Sequence, residues 1–408
     1  TDENGAETFV PGSVALLPGS ITSTAADGRT ILYGYTYDGQ SWFAPTSADS
    51  TGPTELSTPP EKRVSLSGDV IDVQEGATID VSGSGDVLGL EFVAGPMGQT
   101  NILDVPGNYA IVPAYGNDII APIDPLYNPG TSSDTVNSGT TAGYLPLGSS
   151  VWLAAFDGNP AGWYTLLPAE YALTPGGYLL SLAGDTPMTT EARRASDDSF
   201  LVLGRRGLSG TGITDQTLST WRLTSGSDVR KRSEFFETYG NSFFSSERFL
   251  EGLLRSGNPY NADPRLPVDG GFLTLPANSA LKLDGTIVPG GAGGVTGARG
   301  GIVDITSDNI VIAAPGTDVS DLAGYLVLDP NKISNIAESL LIGGVRRQGQ
   351  GGLEVVTGQY TRDSADEVRS PEKSVGAENV VIRSDGAKTL TGTDLLLPAY
   401  QRVRHEGE

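Results

Sequence analysis

Apolar residues recur along this chain in short pairs separated by one polar position. This is the alternation of half-buried β-strands, not the three-to-four spacing of helices. Val64/Leu66, Ile71/Val73 and Ile79/Val81 are divided by turns at Ser67-Gly68-Asp69 and Glu75-Gly76. The format returns after about residue 270, where Leu281/Leu283, Val303/Ile305 and Leu326/Leu328 recur at intervals of 22 and 23 residues. Ile310/Ile312, Leu340/Ile342, Leu353/Val355, Val380/Ile382 and Leu395/Leu397 repeat it. Strands this short must stack on neighbours. Repeats of roughly 20–25 residues with two or three strands each predict a β-solenoid that buries an inward Val/Ile/Leu ladder. Leu283, Ile305 and Leu328 are the expected inward residues. A β-sandwich fits the same alternation.

Three stretches interrupt the pattern. Ile31, Tyr33, Tyr35 and Tyr37 alternate with smaller residues, then Asp38-Gly39 and Ser41-Trp42-Phe43 follow. Alternation around Asp-Gly predicts a hairpin, because a type I′ turn needs positive φ at both central positions. Residues 44–60 are rich in Ser, Thr and Pro and read as a linker. Gly85 to Asp185 is rich in Tyr, Pro and Gly without steady period, which predicts an irregular β domain projecting from the solenoid. Val229–Leu254 carries Phe236, Tyr239 and Phe243 at i, i+3 and i+7, continued by Leu250, Leu253 and Leu254. That spacing predicts two short helices divided at Gly240-Asn241, with Asp228 as cap and Gly257 and Pro259 as stop. They would pack as a lid on the solenoid wall. The expected limits are 1–60 (hairpin and linker), 61–84 (coils), 85–185 (irregular β domain), 186–270 (connecting strands, with a helical insertion at 229–256), 271–400 (coils) and 401–408 (a ragged end).

Composition narrows the class. Gly and Pro number 55 and 26 of 408 residues, about a fifth of the chain, which suits many turns and stays below the level of disorder. Twenty-six basic residues stand against 49 acidic ones, a formal net charge of −23. Such a surface repels phosphate backbones and argues against a nucleic-acid partner. With no Cys there is neither disulfide nor thiolate chemistry. No run approaches the ~18 apolar residues of a membrane span. The first residues lack the basic start and apolar run of a signal peptide, and Gln401–His405 follows directly on an apolar strand. The expectation is a fragment of a longer protein.

Most catalytic arrangements are missing. The one histidine, His405, leaves no Ser-His-Asp or Cys-His set and no zinc cluster. No phosphate-binding GxxxxGK[ST] loop occurs, and Ser82–Asp86 (SGSGD) is a single echo of a calcium-binding repeat. Paired carboxylates remain, at Asp118 with Asp124 and at Asp197-Asp198 near Arg193-Arg194. These pairs would serve an enzyme hydrolysing or eliminating at polysaccharides. Neighbouring acids arise readily by chance among 49. No cofactor and no metal are expected.

At Gly162–Tyr178 (GWYTLLPAEYALTPGGY) the chain resembles the filamentous haemagglutinin family of bacterial exoproteins. The likeness extends in order through Ile79–Asp86 (IDVSGSGD), Tyr109–Pro113 (YAIVP), Ala121–Pro125 (APIDP), Arg232–Glu234 (RSE), Pro264–Gly271 (PRLPVDGG) and Glu338–Arg347 (ESLLIGGVRR). The resemblance implies a right-handed parallel β-helix, exported by an outer-membrane two-partner-secretion transporter and serving attachment or biofilm cohesion. It supplies no catalytic residues. The Asn-Pro-Asn type motifs of the family's secretion domain are not visible, and Asn128-Pro129-Gly130 does not match them. Glu170 stands where a basic residue is expected.

The expected fold is therefore mainly β, a right-handed parallel β-helix with an irregular β insertion and a short helical insertion. The expected function is a non-enzymatic adhesive or structural segment, secreted or on the bacterial cell surface. The alternatives are a carbohydrate-active β-helix enzyme and a passive filament spacer. Glycans or a neighbouring cell surface are the expected ligands. The aromatic candidates to meet them are Tyr33, Tyr35, Tyr37 and Trp42 on the first hairpin, with Tyr109, Tyr115 and Tyr127 in the irregular domain, since Tyr and Trp join an apolar face to a polar tip.

Overall fold

An inward row of branched apolar side chains organises the first half of the architecture. Val64, Leu273, Val303, Leu340 and Leu395 are brought into one register by five strands paired in parallel with their neighbours, and Leu275, Ile305 and Ile342 form the next row. All eight lie in or against one buried core cluster that also holds Ile71, Val73, Ile79, Ile310, Ile312, Leu326 and Leu328. Each fully buried Val, Leu or Ile contributes about 1.5–3 kcal/mol. A one-residue slip would turn a whole strand's apolar set outward.

The computed structural model describes residues 12–44, 54–95, 98–116, 147–207, 213–255, 264–293, 295–349, 352–359, 373–374, 376–384 and 390–407. The chain is mainly β and divides into two units. The first comprises Thr1–Arg29, Ser57–Asp86 and Asn241–Glu408. Its three larger sheets are parallel. One has seven strands: Ser13–Leu16, Arg63–Ser65, Gly68–Val73, Phe272–Leu283, Ile302–Thr306, Ser339–Ile342 and Asp394–Leu396. The long strand Phe272–Leu283 shifts register between Ala277 and Ala280, so its first half pairs with Arg63–Ser65 and its second with Gly68–Val73. Ile21–Ser23, Thr78–Asp80 and Thr286–Val288 form the second sheet. Leu326–Leu328, Asn309–Ala313, Asn379–Arg383 and Arg402–Glu406 form the third. Two antiparallel pairs complete the unit, Val345–Gly349 with Gly352–Val356 and Gly358–Gln359 with Lys373–Ser374.

The second unit comprises Thr30–Leu56 and Val87–Gly240 and is antiparallel. Its larger sheet runs in the order Gly162–Thr165, Ser150–Leu153, Phe200–Gly207, Ser219–Ser225, Tyr178–Gly184, Asn108–Ile111, with Arg193–Arg194 paired to Phe200–Gly207. Glu234–Tyr239, Asp86–Val93, Thr30–Tyr37 and Ser41–Phe43 make the smaller one. The expected hairpin is present. Asp38 and Gly39 hold φ of +50° and +59°, the left-handed pair that the turn requires.

Several expectations are corrected. The helix expected over Val229–Leu254 is a strand in its first part, Glu234–Tyr239, followed by helices Gly240–Phe244 and Glu247–Arg255. Asp228 is not the cap either. It lies inside the one-turn helix Gly226–Val229, whose cap is Ser225. The spacing of Phe236, Tyr239 and Phe243 mimics a helical face, but the antiparallel partner Asp86–Val93 wins, setting Phe235 opposite Phe92 with ring centroids 6.0 Å apart. Phe235 packs inward and Phe236 is exposed, as alternation demands. The described strands of the expected irregular domain 85–185 belong to two regular sheets, Asp86–Val93 to the smaller and the others to the larger, which runs past the expected limit at 185 to Ser225. Of residues 1–60, Ser13–Leu16 and Ile21–Ser23 join the parallel unit. Leu353 and Val355 sit on an antiparallel hairpin and are exposed, outside the ladder. The expected ragged end 401–408 contains Arg402–Glu406, paired in parallel with Asn379–Arg383. Leu283, Ile305 and Leu328 are buried in the core cluster.

Removing one rung tests the ladder. Ile305→Ala is expected to lower the unfolding free energy by about 2–5 kcal/mol. Val327→Ala, on an exposed position between buried Leu326 and Leu328, should change it by less than about 0.5 kcal/mol. Urea denaturation of both variants gives the comparison.

Candidate functional site

The aromatic residues singled out by sequence do not share a surface. Trp42 is fully buried, and its indole Nε1 donates to the Tyr33 carbonyl at 2.7 Å. Tyr109 is buried in the core of the larger antiparallel sheet with Ile111, Val151 and Trp221. Rings covered on both faces cannot stack on a sugar. Tyr33 is half-buried, and Tyr35 is half-buried with its ring on Phe43, centroids 5.4 Å apart at 23°. Half-buried Tyr115 packs against a cluster containing Val112, Leu167 and Tyr171. Tyr37 is exposed. Tyr127, Asp118 and Asp124 lie outside the described residues.

The remaining acid pair is a structural latch. Asp197 accepts from the Ser199 hydroxyl at 2.5 Å and from Arg222 and Arg232, each at 2.9 Å. The Ser199 hydroxyl, then its backbone N–H and Arg232, hold the Asp197 carboxyl down at about 2. A carboxyl so strongly held as an anion is no general acid at neutral pH. Asp198 pairs with Arg194 at 3.0 Å in the adjoining turn, at φ +64°. Ser82–Asp86 serves packing. A Cβ on Gly83 would lie 1.9 Å from the Val268 carbonyl oxygen. Among the described residues no group of three His, Asp or Glu side chains could hold a metal ion.

A different set of side chains converges on the antiparallel unit. Trp152 stands opposite both Trp163 and Arg205 in adjacent strands. Strand alternation sends Val151, Leu153, Tyr164 and Val202 into the core. Trp152, Trp163 and Arg205 are thereby turned to the other face, where each remains partly exposed. The Arg205 guanidinium carbon lies 5.8 Å from the Trp152 ring centre and 5.6 Å from that of Trp163, within cation–π range of both. Gly207 makes room for this arrangement, since a Cβ there would lie 2.7 Å from Trp163 Cζ3. The connection from Leu153 to Gly162 is also held. Asp157 and Gly158 turn at φ +44° and +79°, and the Tyr164 hydroxyl donates to the Pro160 carbonyl at 2.6 Å.

Charge is distributed unevenly around these residues. Arg206 pairs with Asp185 at 3.2 Å and Asp215 at 3.7 Å. No carboxylate among the described residues forms an ion pair with Arg205, whose Nε is enclosed with no hydrogen-bond partner. The residues form a platform of two neighbouring indoles with one cation in reach of both rings. Sequence reading missed these three residues, although the triplets Val151-Trp152-Leu153 and Gly162-Trp163-Tyr164 mark both indoles as facing away from apolar neighbours.

Comparison with protein-family models, with curated proteins and with solved structures gives no match.

Two carboxyls elsewhere, half-buried Glu170 and buried Asp304, add a pH dependence. Glu170 lies in the helical turn Ala169–Leu173, and its Oε2 is enclosed with no hydrogen-bond partner among the described residues. Burial, reinforced by Asp104, pushes its carboxyl up to about 7 from an ordinary 4.5. Asp304 and Arg346 are both buried and stand 3.4 Å apart; burial raises Asp304 to about 6 despite the arginine. The folded chain therefore binds these protons more tightly than the unfolded chain. The stability they contribute is present below the unfolded values and is lost as pH rises through about 6 and 7. Glu170→Gln is expected to melt higher than the parent at about pH 8 and to vary less in Tm from about pH 5 to pH 8. Thermal melts across that range check it.

Proposed function

We propose that the chain is a structural and adhesive segment of a large bacterial exoprotein, secreted or held at the cell surface, and that it has no catalytic role. In this reading the parallel unit is a right-handed β-helix, since parallel crossovers in one sheet are almost always right-handed, and its coils form a scaffold. The family resemblance adds export through an outer-membrane two-partner-secretion transporter and a role in attachment or biofilm cohesion. The antiparallel unit supplies the contact surface. The carrying observation is the half-exposed Trp152–Trp163–Arg205 platform on the face of the sheet opposite its core. A passive spacer has no use for two indoles kept out of the core, whereas apolar ring faces with polar rims suit the CH-rich faces and hydroxyl edges of sugars.

One observation favours an enzyme. A cleft of about 280 Å³ in the parallel unit is lined by Glu338 and Asp394 with Arg265 and Arg346. Both carboxylates are already acceptors within the chain, Glu338 from the Gly300 amide and Asp394 from the Ser339 hydroxyl. This use as structural acceptors supports the adhesive reading over the catalytic one.

Binding of the full chain to a panel of immobilised bacterial polysaccharides, neutral and acidic, tests the proposal. The parent is expected to be retained, and Trp152→Ala with Trp163→Ala to lose at least about tenfold in affinity with the melt preserved. Tyr37→Ala should bind as the parent does. Equal retention of the double variant would remove the platform and leave the spacer reading.

A further inference from the structure

Resting on the adhesive reading, we infer that the platform takes a carboxylated glycan, with Arg205 binding the carboxylate and the two indoles the sugar rings. The argument begins with charge. The chain carries −23 overall, and Arg194, Arg206, Arg222, Arg230 and Arg232 of the same unit each have a carboxylate partner. Arg205, like Arg193, has none among the described residues, and it is the one whose guanidinium lies within 6 Å of both tryptophan rings. A guanidinium placed for packing alone would gain by pairing with one of the 49 acids of the chain. Here the pairing is withheld while the residue as a whole stays partly exposed.

Geometry points the same way. The guanidinium is planar, permanently charged and suited to donate two parallel hydrogen bonds from its N–H fork to the oxygens of one carboxylate. Two indoles within 6 Å restrict where that plane can lie, so little rotamer freedom remains to be lost on binding. Nε is enclosed and unpartnered, which leaves the terminal nitrogens as the donors presented to a ligand. Trp152 and Trp163 occupy cross-strand neighbouring positions, and strands lie about 4.8 Å apart. That spacing is close to the length of one pyranose unit, so an extended chain lying across the strands can set consecutive residues on the two indoles and a carboxylate over Arg205. A neutral glycan would use the rings and leave the cation without a partner. A phosphate backbone would meet one cation in a field that is otherwise acidic.

The full chain should be titrated with oligogalacturonate, oligomannuronate and oligosialate, each beside its methyl ester, which keeps the rings and removes the charge. At least one free acid is expected to bind about tenfold or more tightly than its ester, the usual worth of a hydrogen bond to a charged group. Arg205→Gln should abolish that preference with the melt preserved. Arg205→Lys should restore part of the preference without the bidentate geometry. Esters and acids binding equally, with both lost in Trp163→Ala, would overturn the acidic ligand and keep the adhesive face. A preference for acid that survives Arg205→Gln would overturn the assignment of Arg205. No binding to any of the six, in a chain that also ignores the polysaccharide panel, would overturn this inference together with the reading beneath it.

Discussion

Parallel register carries the first unit. Because Val64, Leu273, Val303 and Leu340 must lie in line to be buried, each strand is fixed against the last to within a single residue. Everything outside the ladder follows from that alignment. Arg63, Phe272, Ile302, Ser339 and Asp394 form the corresponding outward row, and Thr274, Asp304 and Leu341 the next. The arginines above and below use the same alignment, since Arg63 stands 4.6 Å over the Phe272 ring and Arg346 reaches both Ser339 and Asp304. Buried pairs such as Asp304 with Arg346 are weak sources of stability. Their place here is set by the rows the apolar core has already fixed.

The antiparallel unit applies the same rule of alternation to a different end. Its inner face is filled by Tyr109, Val151, Tyr164, Val202 and Trp221. Trp152 and Trp163 lie on the other face and remain partly exposed. Gly204 and Gly207 show the two uses side by side. A Cβ at Gly204 would meet the buried Trp221, and one at Gly207 would meet the half-exposed Trp163. One strand thus seats an indole in the core and an indole at the surface through the same absence of a side chain. Arg205 lies between these two glycines.

Much of the parallel unit was legible in the sequence because its determinant is local. Pairs such as Val303/Ile305 and Leu326/Leu328 show the period of two directly, and the 22- and 23-residue intervals show the return of the chain. The Asp38-Gly39 turn was legible for the same reason, since its left-handed φ values belong to those two residues. What failed depended on distant partners. Glu234–Tyr239 is a strand because Asp86–Val93 pairs with it, roughly 150 residues earlier in the chain, and three- and four-residue spacing of its aromatics masks this. Membership of Thr30–Leu56 in the antiparallel unit is invisible for a similar reason. The site was less legible than the fold. Aromatic richness directed attention to Tyr109 and Trp42, whose partners cover them. Trp152, Trp163 and Arg205 are separated by 11 and 42 residues, and only pairing of three strands joins them.

The four tryptophans offer a direct reading of where a ligand lands. Trp42 and Trp221 are buried and Trp152 and Trp163 are half-exposed, so the indole N–H resonances of one sample separate core from platform. In a titration of the full chain with an acidic oligosaccharide, followed by NMR, the Trp152 and Trp163 indole signals should move together and saturate at one ligand concentration. Those of Trp42 and Trp221 should stay in place. Movement confined to Trp42 or Trp221, or saturable binding with all four indoles unmoved, would contradict the account.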